Sequence, residues 1–403
     1  METPPSGTGT RVLLFTGKGG VGKTTCAAAT ALACAARGRR TLVMSTDPAH
    51  SLADALDLPL GPEPAQVADR LWTQEVDMYY SMRKYWGNLR DLVRTVMRWQ
   101  GADAVAAEEL AALPGMAEGS ALLWLDQFYR SGEYDVIVLD AAPTGETLTL
   151  LTLPQVTRWW LQRAFPFQKA AIKGAGFALR KATGIPLDRA YEELDRLFGR
   201  LDAVQKVLQD PTVASARLVM NPERMVIQEA RRAWTYLQLY GYAVDAAIVN
   251  RVIPEVGEGG VMAEYVRAQR GYMDEIERSF APLPVLTVPH LGREVFGLEL
   301  LSQIGEGLYG DRDPAAVFHS EPAFRVEHTG AEYVVALSLP GASAADVEAV
   351  QHGDEMVVTV GNQRRNVALP SFLAYFELAD TELADGWLRA RFVPGRNDDP
   401  VAP

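Results

Sequence analysis

The segment Gly17-Lys-Gly-Gly-Val-Gly-Lys-Thr-Thr25 stands between an apolar run, Arg11–Thr16, and an alanine-rich stretch that begins at Lys23. This is the G-x-x-x-x-G-K-[ST] spacing, in the strand–loop–helix context that gives it meaning. Gly17, Gly19, Gly20 and Gly22 let the backbone N–H groups of the loop, that of Val21 included, turn inward around phosphate oxygens. The N-terminus of the next helix adds partial positive charge. Lys23 can reach the β- and γ-phosphates of a nucleoside triphosphate. The Thr24 hydroxyl can join the shell of a Mg²⁺ ion, and Thr25 after it belongs with the nucleotide-binding residues. Two acids, Asp47 and Asp140, each stand at the end of an apolar run, the edge where ligands bind in open α/β sheets. A strand-end Asp can also serve as a helix N-cap, so position alone does not assign its role.

The elements that must position these residues are legible as short, near-continuous apolar runs: Arg11–Thr16, Thr41–Ser45, Tyr134–Leu139, Ala216–Met220, Asp245–Val249 and Pro284–Val288. Helical stretches separate them, the first running from Lys23 to about Arg37 with Gly38 closing it as a C-cap. Apolar runs without alternation indicate strands buried on both faces, hence an α/β, doubly wound and mainly parallel sheet. Two helical insertions, at about 77–129 and 155–209, interrupt it. After the polar linker Asp311-Arg-Asp-Pro314 the pattern changes to short alternating strands with Gly, Pro and Asp turns. That predicts a small all-β sandwich over 315–403, following a P-loop domain over 1–314.

The chain has 403 residues, 48% of them hydrophobic and 22% charged, and a formal net charge of −12. An acidic balance of this size argues against a dedicated nucleic-acid-binding protein. Cys26 and Cys34 are the only two cysteines. Two thiols make neither a disulfide framework nor a four-thiolate zinc site, and their scarcity fits a reducing, cytoplasmic compartment. No targeting segment is visible, and no uncharged stretch reaches the ~18 residues of a membrane span, so a membrane link is expected to be peripheral or through a receptor.

The second lysine of the loop, Lys18, makes K-G-G-x-G-K-[ST]. This resembles the deviant Walker A of a P-loop class that includes the nitrogenase iron protein, septum and partition ATPases, and the arsenite-pump/tail-anchored-protein-targeting ATPases. Asp47-Pro-Ala-His-Ser51 and Asp140-Ala-Ala-Pro-Thr-Gly-Glu-Thr-Leu148 resemble the two nucleotide switches of the last family. Glu109–Met116, Asn221-Pro-Glu223 and Val249-Asn-Arg251 resemble further segments of it, in order, over about residues 11 to 310. The resemblance implies an ATP- and Mg²⁺-dependent homodimer in which Lys18 reaches the partner's nucleotide. It further implies that Asp47 polarises the attacking water and that Asp140 lies near Mg²⁺, acting through a bound water. Asn250 would read the adenine edge, Glu223 would contact nucleotide, and Pro143, Thr144 and Gly145 would move with the γ-phosphate. Tyr333–Phe392 resembles the α-crystallin/small-heat-shock fold, through Leu339-Pro-Gly341, Met356–Val360, Arg364-Arg365 and Asp385-Gly-Trp-Leu388.

This chain departs from the family at Ala141 and Glu146, where better-known eukaryotic members carry Thr and His. It lacks the family's Cys-x-x-Cys clasp, so no zinc is expected. The thiol cluster that would bind arsenite is also missing. The two insertions are rich in Trp, Phe and Met, Trp124 among them, with basic residues on neighbouring faces. The bland reading is an amphipathic helical layer; the family resemblance favours a groove for a hydrophobic polypeptide, with Met97 and Phe165 in its wall. The expected activity is therefore ATP hydrolysis driving capture and release of a hydrophobic or tail-anchored client. The alternatives are an arsenite-efflux ATPase subunit, an ATP-independent holdase and a septum- or partition-type positioning ATPase.

Overall fold

A computed structural model describes residues 9–47, 51–85, 116–142, 144–153, 187–254, 261–329, 332–353 and 355–394. The chain divides into two compact units: Met1–Thr16, Lys23–Leu208 and Glu294–Ala315 form one, and Gly17–Gly22, Gln209–Arg293 and Ala316–Pro403 the other.

In the first unit, strands β1 (Arg11–Thr16), β2 (Thr41–Ser45), β3 (Ala65–Ala68), β4 (Leu71–Glu75) and β5 (Val136–Asp140) lie in the order β3-β4-β2-β5-β1. Pairing is parallel except at the β3–β4 edge. Every residue of β1, β2 and β5 is buried, which is why these segments read as continuous apolar runs. Helix α1 (Lys23–Ala36) is built almost wholly of small residues, so a second helix, Leu298–Tyr309, can lie close against it. A Cβ on Gly305 would stand 2.7 Å from Ala29 O, so only glycine permits this approach. Thr30 Oγ1 and Tyr309 Oη meet at 2.7 Å across the same contact. At the other end of α1, the N–H of Gly38 donates to Ala35 O at 2.8 Å, closing the helix as its residue type predicts.

The helix Met116–Ser131 falls inside the first insertion. Trp124, one of the aromatic residues expected to serve a client, is fully buried there. Its Nε1 donates to Ser81 Oγ at 2.9 Å, and its ring stacks on Phe128 with centroids 5.4 Å apart. That side chain is core, and the client reading does not extend to it. The helix Leu187–Gln209 lies in the second insertion. Met97 and Phe165 lie outside the described residues. Among the described residues, no helix is long and apolar enough to cross a membrane.

The second unit contains parallel strands β6 (Ala214–Met220), β7 (Val244–Val252) and β8 (Val285–Pro289). Arg217 and Asp245, both fully buried, pair across β6 and β7 at 3.1 Å. The C-terminal sandwich comprises a four-stranded antiparallel sheet, in the order β14 (Phe376–Ala384), β15 (Trp387–Pro394), β10 (Glu332–Ser338), β9 (Phe324–Thr329). It also has a three-stranded one, β11 (Val347–His352), β12 (Glu355–Val360), β13 (Gln363–Ala368). The predicted alternation is plain in β15, where Leu388, Ala390 and Phe392 are buried between half-buried neighbours.

Candidate functional site

In the first unit the parallel register of β2 and β5 sets Ser45 opposite Asp140. The two C-terminal strand ends therefore deliver polar groups to one place, next to the start of α1. Thr24 Oγ1 donates to Asp140 Oδ2 at 2.8 Å, and Ser45 Oγ donates to the same oxygen at 3.2 Å. Asp140 Oδ1 is buried without a hydrogen-bond partner. Burial pushes the Asp140 carboxyl up to about 6, against the Thr24 hydrogen bond, the charge of Lys23 and the Ser45 hydrogen bond; the nearby Asp47 charge adds to the rise. Lys23 is itself buried, beside a carboxylate that ionises at a cost.

Asp47, half-buried, is tied to the same cluster. Its N–H donates to Ser45 Oγ at 3.2 Å, and its Oδ2 accepts from Ser51 Oγ at 3.4 Å. Ser51 Oγ also meets Thr24 Oγ1 at 3.2 Å. Ser45 thus joins the Asp47 backbone to the Asp140 carboxylate, while Thr24 and Ser51, each donating its one proton to a different acid, lie in contact between them. Ser45 and Ser51 do not stand out in the sequence as site residues. The signal available was their place, one closing the apolar run before Asp47 and the other ending Asp-Pro-Ala-His-Ser. Beyond Asp140, Ala141 and Ala142 are buried and the backbone is helical over 144–153. Thr147 Oγ1 donates to Ala142 O at 2.6 Å and accepts from Thr16 Oγ1 at 3.2 Å, which fastens this helix to the ends of β1 and β5. Thr144 is buried and Gly145 exposed; Pro143 lies outside the described residues.

The loop Gly17–Gly22 belongs to the second unit. A Cβ on Gly17 would fall 2.1 Å from Val219 O, so the loop can leave its strand only as glycine. Gly19 and Gly20 are exposed and Lys18 is half-buried. Asn250 Nδ2 donates to Val21 O at 2.8 Å, while Asn250 Oδ1 accepts the N–H of Arg251 at 2.8 Å. The side chain expected to read a base thus also holds the loop in place. Asn221, at the end of β6, keeps a buried Oδ1 without a partner. Glu223 is exposed at the N-terminus of helix Arg224–Leu239 and makes no side-chain cap.

A glycine-rich loop running into a helix N-terminus, with a lysine, a threonine and a strand-end carboxylate, defines a P-loop nucleotide-binding protein. The Anion-transporting ATPase model of the ArsA family matches residues 10–310, and that of the HSP20-like domain found in ArsA matches residues 330–392. The chain belongs to the ArsA ATPase family: it is an ATPase that binds nucleotide, with an HSP20-like domain at its C-terminal side. It is 37% identical to the putative arsenical pump-driving ATPase 1 of Aquifex aeolicus over 379 residues, 91% of this chain and 96% of that protein. It is 38% identical to the putative arsenical pump-driving ATPase of Chlorobaculum tepidum over 387 residues, 95% of this chain and 96% of that protein. Against the ATPase ASNA1 homolog 1 of Paramecium tetraurelia it is 26% identical over 297 residues, 72% of this chain and 89% of that protein.

Proposed function

We propose that the chain is a homodimeric ATP switch that takes up and releases a hydrophobic polypeptide segment, the transmembrane helix of a tail-anchored protein being the type. The observation that carries this reading is the continuity from Asp140 to residues 144–153. That helix starts beside the nucleotide carboxylate, is fastened through Thr147, packs Leu148, Leu150 and Leu151 into the core, and leads into the insertion at 155–209. A change at the γ-phosphate can therefore reach an apolar, Trp- and Phe-rich segment through one element. The likeness to the ATPase ASNA1 homolog supports the same direction.

In this reading Lys23 and the N–H groups of Gly17–Thr25 hold the phosphates. Asp47 orients the attacking water, and Ser45 and Ser51 hold Asp47. Thr24 and Asp140 fit a Mg²⁺ ion, because Asp140 Oδ1 is buried without a partner and its ionised form needs a cation. When bound, the ion would neutralise charge developing on the phosphate oxygens. The roles of Glu223 and Asn250 toward the base, and of Pro143, Thr144 and Gly145 as a moving switch, belong to the same proposal.

Several relatives carry the name arsenical pump-driving ATPase, which favours metalloid efflux as a second reading. Trivalent arsenic is a soft ion that calls for thiolates. Both cysteines of this chain are fully buried on α1, eight positions and about 12 Å apart along the helix, too far to share one ion.

The deciding experiment is capture of a tail-anchored model peptide by the purified chain, with and without ATP. Wild type should retain the peptide. Phe165→Asp and Met97→Asp should lose it while keeping basal ATPase within about threefold, since both lie outside the P-loop and switches. An arsenite arm in the ATPase assay should be flat. Stimulation by arsenite, or variants that capture the peptide as well as wild type, would favour the metalloid reading instead.

Lys18 adds a test of the dimer. It aids hydrolysis only when a partner presents its nucleotide, so sedimentation with a non-hydrolysable ATP analogue should give a dimer that a zinc chelator does not dissociate. A strict monomer at micromolar concentration would rule out the trans role of Lys18.

A further inference from the structure

The HSP20-like domain rests on the C-terminal end of the helix Arg224–Leu239 and on the turn that follows it into β7. Tyr240 Oη donates to Gln363 Oε1 at 2.9 Å, and Tyr236 Oη donates to Asn362 Oδ1 at 3.1 Å. Thr235 Oγ1 donates to Pro340 O, and Arg365 Nη1 donates to Leu239 O in the last turn of the helix. Beside this contact lies a cavity of about 380 Å³, lined among others by Ala243, Glu321, Ala323, Phe324, Arg365 and Val367.

Arg365 is the feature of this cavity that the docking contact does not explain. Its Nη1 satisfies a helix-end carbonyl, as a cation at a helix C-terminus should. Its Nε, however, is buried with no partner, and among the described residues no carboxylate lies within ion-pair distance of the guanidinium. The acid in the cavity wall, Glu321, is already taken by Arg325 at 2.6 Å. Burial pulls Arg365 down to about 10. A cation without a counter-charge, half-buried, thus lines a cavity of ligand size.

We infer that this cavity is a binding site for a small organic monocarboxylate with an apolar body, held by Arg365. A guanidinium is a planar donor that suits the oxygens of a carboxylate, and Arg365 is among the residues that line the cavity. Ala243, Ala323, Phe324 and Val367 supply the apolar wall for the rest of the molecule. A dianionic phosphate fits less well, because one cation would face two charges with Glu321 close by.

Benzoate and hexanoate are suitable probes, with benzamide and hexanamide as neutral isosteres and inorganic phosphate as a separate arm. Binding to the full chain can be read by calorimetry and by ligand-observed NMR. The carboxylates should bind at least about tenfold more tightly than their amides, the worth of one charge-assisted hydrogen bond, and phosphate should not bind. Arg365→Gln should abolish the preference for carboxylate. Ala323→Leu, which fills the cavity and leaves Arg365 in place, should weaken binding of both probes. If Arg365→Gln fails to fold by circular dichroism, Ala323→Leu decides alone. The inference is overturned if wild type binds neither carboxylate, if amides or phosphate bind as tightly, or if the folded variants bind as wild type does.

Discussion

Asp47→Asn is expected to keep ATP bound and to cut its turnover by roughly 10²-fold or more, the loss typical of a positioned base or water-orienting group. The substitution is nearly isosteric. The amide oxygen of asparagine can still accept from Ser51 Oγ, which stands 3.4 Å from Asp47 Oδ2, and the backbone N–H can still donate to Ser45 Oγ. What disappears is the negative charge at the end of β2. The residues proposed to hold the phosphates, Gly17–Thr25, do not change, so affinity should survive while the chemical step slows. Single-turnover hydrolysis, set beside equilibrium binding of a fluorescent ATP analogue, separates the two quantities. Unchanged single-turnover hydrolysis would remove Asp47 from the mechanism. Weakened binding with an unchanged rate would make it a contact to the nucleotide instead.

The parts of this molecule that could be read from its sequence are those where one physical demand dominates. The loop Gly17–Thr25 is readable because phosphate binding dictates nearly every residue type in it. Strands β1, β2 and β5 are readable because burial on both faces leaves only apolar residues. Strands β3 and β4 are not, for the opposite reason. The first, on the antiparallel edge, is half exposed. The second buries three polar residues in a row, Thr73, Gln74 and Glu75, of which Gln74 donates to Pro62 O at 2.7 Å and Glu75 accepts the Ala53 N–H at 2.9 Å. Neither leaves a hydropathic trace. Trp124 shows the limit of counting aromatic residues. Composition places it among candidates for a greasy surface, whereas a bond to Ser81 and a stack with Phe128 make it core. Ser45 and Ser51 carry no distinctive type or spacing, and only the register of β2 against β5 makes Ser45 a partner of Asp140. Arg365 is visible in the sequence only as part of a fold resemblance. Nothing in a run of two arginines tells that one of them faces a cavity.

Asp140→Asn is expected to act in opposite directions on stability and on turnover. This carboxyl is fully buried, with one oxygen unpartnered, and burial raises it to about 6. A group whose folded value lies above its unfolded one contributes stability that is present below about pH 4 and is lost as pH rises through about 6. At pH 7 the ionised carboxylate therefore costs the empty protein up to about 3 kcal/mol, since each pH unit between the unfolded and folded values is worth about 1.36 kcal/mol. Asparagine keeps an oxygen for the Thr24 and Ser45 hydroxyls and carries no charge. The nucleotide-free variant should accordingly melt several degrees higher than wild type at pH 7, and the gap should close as pH falls toward 4. With ATP and Mg²⁺ the order reverses. A neutral amide cannot supply the negative charge that would hold the cation, and turnover should fall by on the order of 10²-fold or more. Thermal melts of both chains from pH 4 to 8, with and without Mg·ATP, test the stability half, and steady-state hydrolysis tests the other. A variant that melts lower than wild type in the absence of nucleotide contradicts the cost assigned to the buried carboxylate. A variant that hydrolyses ATP at the wild-type rate takes Asp140 out of the proposed metal site, and with it the start of the proposed path from the γ-phosphate through residues 144–153.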